Sequence, residues 1–111
     1  MTMPMTKIDV VRQIGDVLTQ VDARLSAPDF SPSTPEWQQL FALRKHLDDQ
    51  QRELVQEIIQ DDTTTFQGLA KQLSTAADSL KKVATGIAKI GSILKTVSEV
   101  SAIVDKILTH L

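Results

Sequence analysis

The chain predicts an all-α fold, an antiparallel bundle of three helices over about residues 6–26, 35–60 and 63–111, on three observations. Apolar residues recur in all three stretches at the three-then-four spacing of a helix with one buried stripe. Each stretch opens on a capping signal. Aromatic residues are confined to Phe30, Trp37, Phe41 and Phe66, with no tyrosine, so the core is aliphatic, which suits helices better than a sheet sandwich. A length of 111 residues leaves room for one hydrophobic core, so 1–111 reads as a single helical domain.

The first helix opens at Thr6, whose hydroxyl can accept from the amide of Asp9 while the Asp9 carboxylate sits in the first turn, where the helix dipole favours it. Val11, Ile14, Leu18, Val21 and Leu25, with Val17 beside them, form its apolar stripe, and it ends near Ser26. Pro28, Pro32 and Pro35 then make 27–35 a rigid, partly extended connector, because each removes a backbone donor and pushes the preceding residue away from helical geometry.

Thr34 caps the second helix, with Pro35 at its first position and Glu36 at its second. Its apolar residues fall into two clusters, Trp37, Leu40, Phe41, Leu43 and Leu47, then Leu54, Val55, Ile58 and Ile59. The polar run 48–53 between them is expected to bury little. Arg44 with Asp48, and Asp48 with Arg52, are four apart and pair along the exposed face for a few tenths of a kcal/mol each.

Asp61, Asp62 and three threonines interrupt the pattern without Gly or Pro, so the next connection is expected to be a tight turn, with Thr64 and Gln67 as the capping box of the third helix. From there a heptad holds. Phe66, Leu73, Leu80, Ile87, Leu94, Ser101 and Leu108 occupy one core position, and Leu69, Ala76, Val83, Ile90, Val97, Val104 and Leu111 the other. Only Ser101 breaks it.

Two flanking positions carry more information. One reads Ala70, Ala77, Ala84, Gly91, Ser98 and Asp105; the other reads Gln72, Ser79, Gly86, Ile93, Val100 and Ile107. Apart from Asp105, neither has the charges of a two-stranded coiled coil. Small residues every seventh place let a neighbour approach closely, and Ile93, Val100 and Ile107 widen the buried face, as in a bundle. The six lysines Lys71, Lys81, Lys82, Lys89, Lys95 and Lys106 lie opposite. Gly86 and Gly91 each cost about 1 kcal/mol in a helix interior, but the apolar phase continues across them. A continuous or merely kinked helix is therefore the favoured expectation, with a break into two helices at Gly86 and Gly91 as the alternative.

At 1.5 Å per residue that helix would be roughly 70 Å long, against roughly 30 Å and 40 Å for the first two. A hairpin of the shorter helices covers only part of it, and leaves more apolar surface around 94–111 than soluble monomers usually show. Something must complete that core. Ile87, Ile90, Ile93, Leu94, Val97, Val100, Val104, Ile107 and Leu108 are accordingly the candidate interaction residues.

The remaining observations exclude more than they assign. No cysteine is present, which removes disulfides, thiolate metal sites and a cysteine nucleophile together. His46 lies in a charged run and His110 in the last helical turn, both suited to surface roles. Asp61 and Asp62 lack the spacing of a calcium loop. No glycine-rich phosphate loop, serine elbow or helical His/Glu metal pair occurs, so the chain reads as no enzyme, with no cofactor and no small-molecule substrate. Nucleic acid is not an expected partner either: the lysines are dispersed, no arginine follows Arg52 and no aromatic follows Phe66. No apolar leader opens the chain and no stretch approaches 18 apolar residues, which reads as cytoplasmic. Charge is uneven. Residues 1–62 hold six bases and eleven acids, and 63–111 six lysines and three acids, or about −5 against +3.

The functional expectation is therefore a small helical interaction protein that self-associates or binds a protein partner through its C-terminal helix, as an assembly, adaptor or inhibitory factor. The alternative is a membrane-active protein whose 86–111 segment, apolar opposite Lys89, Lys95 and Lys106, lies on or enters a bilayer. No motif in the chain identifies a family.

Overall fold

The computed structural model describes residues 4–84 and 90–109, and these form four helices rather than three. They are α1 (Lys7–Leu25), α2 (Pro35–Gln56), α3 (Thr64–Ala84) and α4 (Ile90–Thr109). The all-α class stands, and the described residues contain no strand.

The third helix expected over 63–111 is the main correction. It is two helices, and α4 packs against α3 instead of extending it. Gly86 and Ile87 lie outside the described residues. Gly91 sits in the first turn of α4, where an added Cβ would meet nothing within 4 Å, so its role is not to admit a close neighbour.

The reason for folding back is visible in the helical phase. In α3 the buried positions are Phe66, Leu69, Ala70, Leu73, Ala76, Ala77 and Leu80. In α4 they are Ile93, Val97, Val100, Val104 and Ile107, with Thr96 and Ser101. Continuing the α3 column from Leu80 would centre Leu94, Ser101 and Leu108. The centre instead runs through Ile93, Val100 and Ile107, one residue earlier, a rotation of about 100°. A continuous helix would leave this apolar face uncovered. Burying a branched aliphatic side chain yields roughly 1.5–3 kcal/mol, so five of them outweigh the few backbone bonds that helix continuity would add.

Packing joins α1 to α2, α2 to α4, α4 to α3 and α3 to α1. The hairpins α1–α2 and α3–α4 therefore lie side by side in a closed ring, and residues 57–63 cross one end. The direction of each helix follows from its cross-links. Arg44 of α2 donates from Nε to Asp22 Oδ1 at 2.9 Å and from a terminal nitrogen to Asp22 Oδ2 at 3.3 Å, while Gln51 Nε2 donates to the Val11 carbonyl at 3.0 Å, so α1 and α2 are antiparallel. Gln67 of α3 accepts from the Met5 amide at 3.0 Å and donates to its carbonyl at 2.6 Å, which sets α1 and α3 parallel.

The core centres on Val10, Ile14, Val17, Leu18 and Val21 of α1 and Leu40, Leu47 and Leu54 of α2. Val10, absent from the stripe read off the sequence, is fully buried, and Val11 only partly so. The opposite end is closed by aromatics: Trp37 stacks on Phe41 at 5.3 Å and donates from Nε1 to the Leu25 carbonyl at 2.9 Å, and the Arg24 guanidinium lies 5.5 Å from the Phe30 ring centre.

Two polar details differ from expectation. The cap of α3 is Thr63, whose hydroxyl accepts from the Phe66 amide at 3.1 Å; Gln67 is taken by the N-terminal segment instead of a box with Thr64. The run 48–53 does bury a residue. Gln50 is only 4% exposed. Its Nε2 donates to the Ser101 carbonyl at 3.1 Å and its Oε1 accepts from the Ser101 hydroxyl at 3.0 Å. The one break in the heptad is thus a clasp between α2 and α4.

The capping box of α1 is as read: Asp9 donates from its amide to Thr6 Oγ at 3.3 Å, and its carboxylate accepts from the Thr6 amide at 2.8 Å and hydroxyl at 3.1 Å. These bonds hold the Asp9 carboxyl below the usual carboxylate range. A depressed carboxyl stabilises the fold above its unfolded pKa, and that contribution is lost as pH falls through the folded value. Thr6→Ala is expected to cost about 1 kcal/mol and to flatten the decline in stability below about pH 4, as read by urea titrations at several pH values.

Candidate functional site

Eight of the nine candidate interaction residues fall among the described residues, and most point inward. Ile93, Val97, Val100, Val104 and Ile107 are at most 2% exposed, while Ile90, Leu94 and Leu108 are partly buried against the same core. Ile87 lies outside the described residues. In the closed bundle, then, the apolar stripe of α4 is covered by the chain itself, and of the eight described residues only the half-buried edge can meet another molecule without the helices separating.

That edge lines a groove. Leu94, Lys95 and Ser98 of α4 face Gln39, Ala42, Leu43 and His46 of α2 across an open cleft of about 480 Å³. Leu43 and Leu94 make its floor, since both also touch the core. Such a cleft arises because α2 and α4 run parallel with the slim clasp Gln50–Ser101 drawing them together below it, while Ala42 and Ser98 are too small to fill the space above.

A second surface lies at the far end of α2. Ile8, Val55 and Ile58 are 65%, 55% and 94% exposed, and with Phe41 they are the exposed large hydrophobic residues among those described. Val11 and Val55 share a shallow cleft of about 380 Å³ between α1 and α2, and Ile8 stands one turn before Val11. The helix expected to run to residue 60 ends at Gln56, with Glu57 extended. Ile58 therefore leaves the helical face assigned to it, while Ile59 turns back onto the core. Lys7 holds this corner, donating from Nζ to the carbonyls of Val55 at 3.0 Å and Glu57 at 2.6 Å. Asp61 Oδ2 accepts from the Lys7 amide at 3.0 Å. Asp61, of the aspartate pair, thus serves the start of α1.

Lys71, Lys81, Lys82, Lys95 and Lys106 are exposed on α3 and α4, and His46 is exposed on α2; His110 lies outside the described residues. Three or more His, Cys, Asp or Glu side chains placed to hold a metal ion do not occur among the described residues. No helix there is long and apolar enough to cross a membrane.

Sequence reasoning missed the corner and half of the groove. Ile8 is apolar and off the α1 stripe, a legible signal. Ile58 sits in an apolar cluster that looks helical, and only the helix end at Gln56 exposes it. Leu43 cannot be separated from core leucines by spacing alone. Compared with protein-family models, curated proteins and solved structures, the chain matches none of them.

Proposed function

We propose that this is a small helical interaction protein with no chemistry of its own, which docks another protein surface in the groove between α2 and α4. The observation behind this reading is the groove itself, an apolar floor of Leu43 and Leu94 left open on a bundle whose other large aliphatic side chains are mostly packed inside. Pockets used for recognition are concave and mainly apolar, with a few polar groups at the rim, and here Gln39, His46, Lys95 and Ser98 supply the rim. The C-terminal helix still takes part, through Leu94 rather than through its full stripe. The membrane alternative requires α4 to leave the bundle, because its apolar face is turned inward; docking in the groove requires no opening.

A photo-crosslinking residue at Ser98 or at Gln39, both exposed on the groove, is expected to give specific adducts in the cells that make the protein. The same residue at Thr75, exposed on α3, is the control. Absence of adducts at both groove positions, or equal adducts from Thr75, would remove the interaction reading.

A further inference from the structure

Resting on that docking reading, we infer that the occupant of the groove is the Ile58 corner of a second copy, so that the protein assembles head to tail. Val55 and Ile58, two of the four exposed large hydrophobic residues among those described, stand three residues apart at this corner, and Ile58 is almost wholly in water. The segment that carries it is held by the two Lys7 bonds, so little ordering remains to be done on association. The groove offers about 480 Å³ above two leucines, space for a branched aliphatic side chain.

Charge favours the same pairing. Glu57 adjoins Ile58 and Asp62 follows four residues on, both exposed. Arg52 is paired with Asp48 at 3.1 Å, and Lys7, although bonded to two carbonyls, keeps its charge; Glu57, Asp61 and Asp62 outnumber it, so the corner is acidic on balance. The groove carries Lys95, the one formally charged residue of its lining, with no carboxylate within ion-pair distance among the described residues. An acidic knob thus meets a single lysine at the groove's edge, an arrangement that steers encounter and fixes orientation.

The geometry decides the type of assembly. Knob and groove sit toward opposite ends of α2, roughly 20 Å apart along its axis, and they are different surfaces. A copy cannot fill its own groove, and the contact is heterologous. Each added copy leaves one knob and one groove unoccupied, so the chain of copies grows or closes into a ring.

The test uses complementary lesions. Wild-type protein is expected to gain mass with concentration in sedimentation velocity, less so at high salt. Ile58→Asp, at a site exposed enough to leave the fold intact, and Leu94→Asp are each expected to be monomeric. Mixed one to one, they retain a single intact knob and a single intact groove, and a heterodimer that grows no further is expected. Lys95→Glu provides a groove lesion at an exposed site: it is expected to weaken association at least about tenfold, and a Glu57→Lys copy to restore binding to it. If wild type remained monomeric at hundreds of micromolar, or assembled while the mixed variants did not pair, the head-to-tail inference would fall. Adducts to a different protein at Ser98, with a monomeric wild type, would overturn self-assembly and leave the docking reading standing.

Discussion

Truncating Ile93 to alanine is expected to cost about 2–5 kcal/mol of stability, whereas Leu94→Ala next to it costs roughly 1 kcal/mol. Ile93 is 2% exposed and belongs to the central column of α4; Leu94 is half-buried at the groove. The cost of a large-to-small change is the lost transfer energy plus the cavity left behind, and a side chain at an open cleft leaves no closed cavity. Urea titrations of the two variants give the comparison directly. The ranking discriminates between folds, since a continuous heptad from Phe66 would place Leu94 in the core and Ile93 on its flank. A larger loss for Leu94→Ala than for Ile93→Ala would mean that α4 does not pack as described.

The clasp between α2 and α4 is the second site of large effect. Ser101→Ala is expected to cost about 1–3 kcal/mol, because it leaves the buried Gln50 Oε1 without its donor. Replacing both residues, Gln50→Leu with Ser101→Ala, is expected to recover most of that loss, since no polar side-chain atom is then left unpaired. A double-mutant cycle on unfolding free energies should give a coupling of at least about 1 kcal/mol. Additive costs would show that the two side chains do not act together. Gln50 both donates and accepts at Ser101, so a shift of α2 along α4 by one turn would leave these groups buried and unpaired, and the clasp sets the register that shapes the groove above it.

Much of the local structure was legible in the residues. The start of α1 at the Thr6 and Asp9 box and the start of α2 at Thr34 and Pro35 were each readable from two or three neighbours, because a cap is a contact between residues three apart. The ion pairs around Asp48 were readable for the same reason. What failed was longer in range. Nothing within one turn of Gln50 distinguishes it from the polar residues around it; its partner is 51 positions away. Val10 and Val11 are equally apolar, and only the direction from which α2 and α3 approach selects Val10 for the core.

The reading of 63–111 as one helix shows where the boundary lies. Sequence alone determined that this is an aliphatic, helical chain, where its first two helices begin, and that its C-terminal part carries an apolar face too broad for a single partner. Period and capping are properties of near neighbours, and they are written in the residues themselves. Whether the broad face is met by a second molecule or by the same chain folding back is a competition between helix continuity and burial. Tertiary structure decided that competition in favour of burial, moved the α4 core by one residue, and left open the groove at Leu43 and Leu94 and the corner at Ile58.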